Sequence, residues 1–235
     1  MVGGASNTDH EPLSARRKRA GAIAGLAGAV LLVATLFLLS SLPAADSSGQ
    51  TVLTQLHGRY GVTVGAGYAG VLASVMLIPF VASLKTFARG PAGDAQWRWT
   101  ITLLSAAAAV SLLLAGSTLL AGAAVLASQT ADASAVSALF AGAKTCLTFA
   151  LTPFGVLVLV NARSVSSGIT PVRWLIRIDL EIGILALISS GAIFIYSGWF
   201  GPGQPVVAAV GLLVALWVAA IAFVILEGGE RTMSR

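Results

Sequence analysis

The fold is decided by residues 16–42, which read RRKRAGAIAGLAGAVLLVATLFLLSSL. Four basic residues precede a run of 23 almost purely apolar residues, 20–42. A helix of about 20 apolar residues crosses the hydrocarbon layer of a membrane, whereas the apolar part of a signal peptide has about 7–15 residues. The length therefore favours an uncleaved membrane-spanning helix. The small residues Pro43, Ala44 and Ala45 leave cleavage open as the alternative.

The composition of the whole chain points the same way. Of its 235 residues, 57% are hydrophobic and 10% are charged, and the mean hydropathy is +0.90. A soluble domain normally carries about 25% charged residues and needs a polar surface. The composition therefore excludes a soluble enzyme and a free nucleic-acid-binding protein, and it predicts an integral membrane protein.

Five more apolar stretches follow the first. Backbone groups in lipid must be hydrogen-bonded internally, so each stretch is expected to be a helix. The predicted fold is an all-α bundle of six transmembrane helices, with a disordered basic tail (1–19), a membrane domain (20–226) and a short second tail (227–235). The six spans are placed at 20–42, 61–84, 99–127, 137–161, 174–198 and 206–226.

The distribution of basic residues predicts the orientation. If the amino terminus is cytoplasmic, twelve of the fourteen Lys and Arg residues lie in the inner segments. Arg59 is then the one basic residue of the outer loops, and Lys144 lies within a span. Cytoplasmic loops of membrane proteins carry an excess of Lys and Arg. We therefore expect both termini in the cytoplasm, which requires an even number of spans.

Lys144 is the most costly residue of the predicted membrane domain. It lies about seven residues, or about 10 Å, from the outer end of the fourth span. A cation costs about 2.5–3.5 kcal/mol at the bilayer centre and less near an interface. Either Lys144 binds an anionic head group or substrate, or pairs with an acid of another span, or its aliphatic stem extends outward so that the ammonium reaches the lipid head groups.

Three charged residues lie near the inner end of the fifth predicted span. Arg177 and Glu181 are four residues apart, so they share a helix face and are expected to form an ion pair. Asp179 points about 200° away from Glu181 and needs another partner, such as Arg173, another span or water. An acid at this depth could also relay protons or bind a cation. A direct pair with Lys144 is not expected, because their levels differ by about 18 Å.

Two prolines interrupt the apolar spans. Pro79 and Pro153 lie in the inner halves of the second and fourth spans, where proline removes a helix hydrogen bond and produces a kink. The kinks could act as hinges or line a cavity, or they could only match the shapes of packed helices.

The two prolines also belong to similar stretches, LIPF at 77–80 and LTPF at 151–154, offset by 74 residues. The hairpins 61–127 and 135–202 are therefore candidates for an internal repeat, in which Gly116 and Gly191 correspond. Residues that membrane interfaces favour would produce the same pattern by chance.

The sequence predicts no catalytic, metal or cofactor site. Cys146 is the one cysteine and lies in an apolar run, and the histidines His10 and His57 are far apart. The chain lacks the HExxH, P-loop and GxSxG motifs that carry metal, nucleotide and serine-hydrolase chemistry. A membrane-embedded enzyme would need polar groups clustered at one level, and the sequence offers few.

Several short stretches carry a family resemblance. LHGRYGV at 56–62, GVLA at 70–73, LK at 84–85 and TPVRWLI at 170–176 resemble a group of small six-span membrane proteins of unknown function that are frequent in actinobacteria. The resemblance covers most of residues 16–226 and implies a multi-pass protein of the bacterial cytoplasmic membrane. It implies no catalytic or binding residue. Asp179 and Glu181 depart from the group, whose fifth span is often wholly apolar.

Two functions are compatible with these features. The first is a non-catalytic membrane protein that packs with itself or with another membrane protein, which the scarcity of polar residues within the spans favours. Glycines four residues apart, such as Gly21 and Gly25 or Gly61 and Gly65, indicate close helix packing but do not specify a dimer. The second is a small transporter or channel for a solute, a lipid or protons, which would use Lys144 and Asp179. The bilayer is the expected surrounding in both cases, and no nucleic acid is expected as a partner.

Overall fold

The computed structural model describes residues 11–44, 46–85, 92–129, 132–165, 173–191, 201–202 and 204–231. These residues form eight α-helices and no strand. In chain order the helices are α1 Glu11–Ser40, α2 Gly49–Gly58, α3 Tyr60–Leu84, α4 Ala92–Gln129, α5 Ala133–Phe149, α6 Leu151–Val165, α7 Arg173–Ser190 and α8 Pro205–Arg231.

Within the described residues, five stretches are long and apolar enough to cross a membrane. Only 39–50% of each stretch is buried inside the protein, so its remaining apolar surface faces outward. Large apolar side chains such as Phe37 and Ile188 are 75% and 67% exposed. This arrangement is compatible with a membrane protein, because lipid covers such faces. The five stretches are Arg16–Ser40, Tyr60–Leu84, Gln96–Gln129, Ala133–Ala162 and Pro205–Glu227.

The fifth predicted span, 174–198, is not among these stretches. Its described part is α7, an 18-residue helix that carries Arg173, Arg177, Asp179 and Glu181. Four charged residues in one helix of this length lower its hydropathy below that of the other spans. Residues 192–200 lie outside the described part of the chain.

Two helices begin earlier than the hydropathy predicts. Helix α1 starts at Glu11, inside the tail 1–19 for which disorder was predicted, because Leu, Ala, Arg and Lys are good helix formers that extend an existing helix at low cost. Residues 1–10 lie outside the described part. Helix α4 has 38 residues, or about 57 Å, which exceeds the hydrocarbon thickness of about 30 Å.

A short helix follows α1, where the sequence predicts a loop. Ser48 caps α2 by accepting a hydrogen bond from the Thr51 amide. Val52 and Leu56, one helical turn apart, are 1% and 0% exposed. The cap and this spacing are the local signals of an amphipathic helix. Helix α2 thus lies with its apolar side against α4 and α5.

Helix α5 also begins with a side-chain cap. The Asp132 carboxylate accepts hydrogen bonds from the Ser134 hydroxyl and from the amides of Ser134 and Ala135. These bonds, that from the Ser134 hydroxyl first, hold the pKa of Asp132 below its usual value, because they stabilise the ionised form. The cap fixes where α5 starts relative to α2.

Glycines bring neighbouring helices into close contact along α1, α3 and α4. A Cβ on Gly21 would lie 2.6 Å from the Ser83 Cβ, whereas Gly28 faces Ala73 and Met76. The order of the contacts reverses between the two helices, so α1 and α3 are antiparallel. A Cβ on Gly67 would lie 2.8 Å from the Ser117 carbonyl oxygen, so α3 and α4 touch through their backbones.

The other helix pairs follow the same rule. Gly116 meets Leu147 and Gly142 meets Leu119, so α4 and α5 are antiparallel. Helices α6 and α7 meet at Gly155 and Gly183, where a Cβ on Gly155 would lie 2.8 Å from the Gly183 carbonyl oxygen. Helix α8 closes the bundle against α1, because Gly25 meets Ala222 and Gly211 meets Leu36. Thus α1 and α8 also run in opposite directions.

The buried apolar side chains form two clusters. The larger one joins α1, α3, α4, α6, α7 and α8 and includes Phe80, Phe154 and Trp217. The smaller one lies under α2 and joins the end of α1 to α3, α4 and α5, with Leu56 and Phe140 at its centre. Each cluster is closed by a different set of helices, so the bundle has a main core and a smaller core at the α2 end.

The two prolines have different local effects. Helix α3 continues through Pro79 to Leu84. The helix that carries Pro153 is instead divided at Ala150, between α5 and α6. Pro153 cannot donate to the carbonyl four residues earlier, although the amides of Ala150 and Phe154 still make helical hydrogen bonds. Helices α5 and α6 therefore run as one stretch with a local interruption.

The proposed repeat pairs Gly116 with Gly191. A Cβ on Gly116 would lie 2.7 Å from the Leu147 Cγ. Gly191 directly precedes residues 192–200, which lie outside the described part of the chain, and no described atom lies within 4 Å of a Cβ placed on it. The internal repeat therefore stays a prediction.

Candidate functional site

Lys144 lies inside the protein. Its side chain is only 3% exposed, and its Nζ donates a 2.6 Å hydrogen bond to the carbonyl oxygen of Pro43. Pro43 lies just after the end of α1. Of the interpretations that the sequence left open, outward extension to the head groups does not describe this side chain. Its partner is a backbone carbonyl instead of an acid.

The surroundings of the Lys144 ammonium are mostly apolar. The ring of Phe140, one helical turn earlier, has its centre 5.1 Å from Nζ, which is within the range of a cation–π contact. Asp46 in the loop before α2 attracts the ammonium electrostatically, but the described residues contain no salt bridge to Lys144. The charge is thus held by one carbonyl, one aromatic face and a distant acid.

A cavity of about 60 Å³ adjoins Lys144. Its walls come from the ends of α1 and α5 and from the starts of α6 and α8. The walls are mainly aliphatic, and Ser40 and Thr148 add hydroxyl groups. Both hydroxyls donate to carbonyls of their own helices, Ser40 to Phe37 and Thr148 to Lys144. Lys144 is therefore the charged group of an otherwise apolar cavity.

Asp179 has its partner on another helix. It is 1% exposed, and its Oδ1 accepts a 2.9 Å hydrogen bond from the indole Nε1 of Trp217 on α8. Its second oxygen, Oδ2, is buried and has no hydrogen-bond partner among the described residues. The sequence leaves another span among the possible partners of Asp179 but does not single out Trp217. The available signal was an indole N–H deep in an apolar helix, which needs an acceptor when it is buried.

The ion pair expected between Arg177 and Glu181 is absent from the structure. Both side chains are exposed, and the described residues contain no salt bridge between them. The order of the two charges along the helix is also the less favourable one, because an ion pair within a helix is stronger when the acidic residue precedes the basic residue. An exposed pair contributes little in any case. As the helical period predicts, Asp179 and Glu181 lie on different faces, one buried and one exposed.

The connections around α2 are held by two polar contacts that the sequence did not predict. His57 at the end of α2 places its Nδ1 3.2 Å from the Ala127 carbonyl oxygen of α4. The Arg59 guanidinium donates to the carbonyl oxygen of Ser41 at the end of α1. These contacts tie α2 to the neighbouring helix ends and give both side chains a structural role.

Neither buried charged residue contacts the other. Lys144 is bound at the end of α1, and Asp179 is bound to the middle of α8. Searches against protein-family models, characterised proteins and solved structures found no match for this chain.

Replacement of Trp217 by Phe should lower the free energy of unfolding by about 1–3 kcal/mol, because it leaves the buried Asp179 without its donor. Reversible unfolding in mixed detergent micelles measures this change. Trp97, which is 67% exposed, provides the control, and Trp97→Phe should have little effect. The double variant Asp179→Leu/Trp217→Phe should regain most of the loss, since it removes both polar partners. An unchanged stability of Trp217→Phe would contradict the assignment.

Proposed function

We propose that this chain is a six-span protein of the bacterial cytoplasmic membrane, with both termini in the cytoplasm, which acts without catalysis by packing against a second copy of itself. The observation that carries the proposal is an open pair of glycines on the outward face of α3. Membrane helices associate through such small residues because lipid supplies no hydrophobic drive between them.

The directions of the helices support six crossings. Helices α1, α3, α4 and α5 alternate in direction, and α6 continues α5. Helix α6 therefore ends on the side where α1 begins. Helix α8 is antiparallel to α1, so it starts on the opposite side. The chain between them, 166–204, has to cross from one side to the other, and α7 is the helix within it.

The charges support the orientation. The four basic residues 16–19 lie at the start of α1, and Arg231 lies at the end of α8. In an arrangement of six spans these ends share one side, which the excess of basic residues assigns to the cytoplasm. The resemblance to six-span actinobacterial proteins is what suggests a bacterial cytoplasmic membrane.

Reporter fusions test six spans against five. Alkaline phosphatase fused after Gly201 should be active, because this loop lies outside in the six-span arrangement. The same enzyme fused after Arg235 should be inactive, and green fluorescent protein at that position should fluoresce. If both phosphatase fusions had the same activity, the segment 174–198 would not cross the membrane and the six-span arrangement would be wrong.

Two glycine pairs with the same spacing have opposite environments. Helix α3 occupies the space beside Gly21 and Gly25 of α1. Cβ atoms added at these glycines would lie 2.6 Å from Ser83 and 2.4 Å from Phe80, respectively. A Cβ on Gly61 or Gly65 would meet no atom of the described residues within 4 Å. The first pair is used within the chain. The second is available to another helix.

The open glycines continue into an apolar face. Helical periodicity aligns Gly61 and Gly65 with Tyr68, Val75 and Pro79, and all of these side chains are exposed or half-buried. We call this set the α3 outer face. A groove at the glycines beside the projecting Tyr68, which is 64% exposed, suits the close approach of two α3 helices.

Cysteine cross-linking tests the association. In a Cys146→Ala background, Tyr68→Cys should form a disulfide-linked dimer in membranes after oxidation. Ile188→Cys on α7 is the matched control, since Ile188 is 67% exposed but lies on a different helix. Adding Gly65→Leu to Tyr68→Cys should fill the groove and reduce cross-linking severalfold without disturbing the monomer. Equal cross-linking at Tyr68→Cys and Ile188→Cys would overturn the proposed interface.

The second candidate is a small transporter or channel for a solute, a lipid or protons. The observation that favours it is that Lys144 and Asp179 both point into the bundle, with exposures of 3% and 1%. Ionisable side chains of this kind line pathways in many membrane proteins. Against it, the cavity beside Lys144 is not lined by Asp179, so the two residues do not share a path in the described structure.

Labelling with a membrane-impermeant thiol reagent separates the two functions. If the chain acts by packing, Lys144→Cys and Asp179→Cys in a Cys146→Ala background should not both react, from outside or in inverted vesicles. Thr51→Cys, on the exposed side of α2, should react from outside and serves as the control. Reaction at both buried positions of a folded protein would reveal an aqueous path and favour the transporter.

A further inference from the structure

The buried ammonium of Lys144 has unused hydrogen-bonding capacity. A lysine carries three N–H donors. Within the described part of the chain, Nζ makes one hydrogen bond, to Pro43, and no salt bridge. A buried charge is costly unless its donors are satisfied. Two donors therefore remain for an acceptor that the described residues do not supply.

The cavity beside Lys144 has aliphatic walls. Leu36 and Leu39 of α1 face Leu147 of α5 and Val207 of α8 across it. Its level is set by the last turn of α1 and the first turn of α8. The cavity therefore lies within one leaflet, between the end of α1 and the middle of the stretch Ala133–Ala162. In the proposed orientation this is the outer leaflet.

We infer that Lys144 and this cavity bind the anionic head group of a single-chain amphiphile. A carboxylate or phosphate oxygen of the ligand accepts from Nζ, and the adjoining methylene groups lie against the aliphatic walls. A volume of about 60 Å³ admits only part of such a molecule, so the rest of its chain stays in the bilayer.

The charge and the walls together select this class of ligand. A cation is repelled by Lys144. A free inorganic anion would satisfy the ammonium, but it would leave the aliphatic walls without contacts. A neutral lipid would fill the walls but would add no charge-assisted hydrogen bond, and such bonds are stronger than bonds between neutral groups. The anionic amphiphile satisfies both parts of the site.

The test is a titration of the full-length protein in neutral detergent, with thermal unfolding as the readout. The probes are oleoyl-lysophosphatidylglycerol, the neutral monooleoylglycerol and inorganic phosphate. The anionic lipid should raise the unfolding temperature, and its Kd should increase at least about tenfold in Lys144→Met, as the loss of a charged hydrogen bond implies. Lys85→Met is the matched control, because Lys85 is exposed and lies outside the cavity, so its Kd should stay unchanged.

Three results would overturn the inference. The first is an equal Kd of the anionic lipid for the unchanged chain and for Lys144→Met. The second is equal binding of monooleoylglycerol, which would mean that charge has no part. The third is an equal effect of inorganic phosphate, which would mean that the site takes a free anion.

A second variant keeps the test decisive if Lys144→Met fails to fold. Ala208 lines the cavity from the first turn of α8, and Ala208→Leu fills the space while Lys144 and its bond to Pro43 are retained. This variant should weaken binding of the anionic lipid by a similar factor. Unchanged binding by a folded Ala208→Leu protein would contradict a ligand in the cavity.

Discussion

Direct contact between helix backbones is the constraint on which the rest of the structure depends. At Gly67 and Gly155, the carbonyl oxygen of a neighbouring helix occupies the space that a side chain would need. Helices that approach so closely can shift relative to one another only at the cost of steric overlap. The positions of the helices along one another are therefore fixed. These positions determine which polar groups come within reach of each buried charge.

The two buried charged residues illustrate this constraint. Lys144 reaches the carbonyl of Pro43 because the end of α1 lies beside the middle of α5–α6. Asp179 reaches Trp217 because α7 lies against α8 at that level. In both cases the partner is a neutral group. A single neutral partner leaves part of the hydrogen-bonding capacity of a charged group unused. The Lys144 site can therefore accept a ligand, and Oδ2 of Asp179 has no partner in the described part of the chain.

The two proposed functional surfaces are the places where the close packing stops. Gly61 and Gly65 repeat the spacing of Gly21 and Gly25, but none of the eight described helices packs against them. The cavity at Lys144 remains where the ends of four helices fail to meet. One surface is apolar and suited to a second helix. The other combines aliphatic walls with a cation and is suited to an anionic amphiphile.

The sequence by itself determined the all-helical class, the five long apolar helices and the positions of Lys144 and Asp179 within apolar segments. These properties depend on the length, hydropathy and local charge of single segments. The six crossings and the cytoplasmic termini follow from the pattern of basic residues and stay predictions. Helix α2 was missed because its cap and its two buried residues form too short a pattern to separate from a loop.

Only the tertiary structure decided that Lys144 turns inward to Pro43, that Trp217 is the partner of Asp179, and that Arg177 and Glu181 stay apart. It alone distinguished the filled glycine pair on α1 from the open pair on α3. The physical reason is that a partner depends on the rotation and the level of two helices relative to each other. The packing of the whole bundle sets this rotation and level. They cannot be derived from the spacing of residues within one helix.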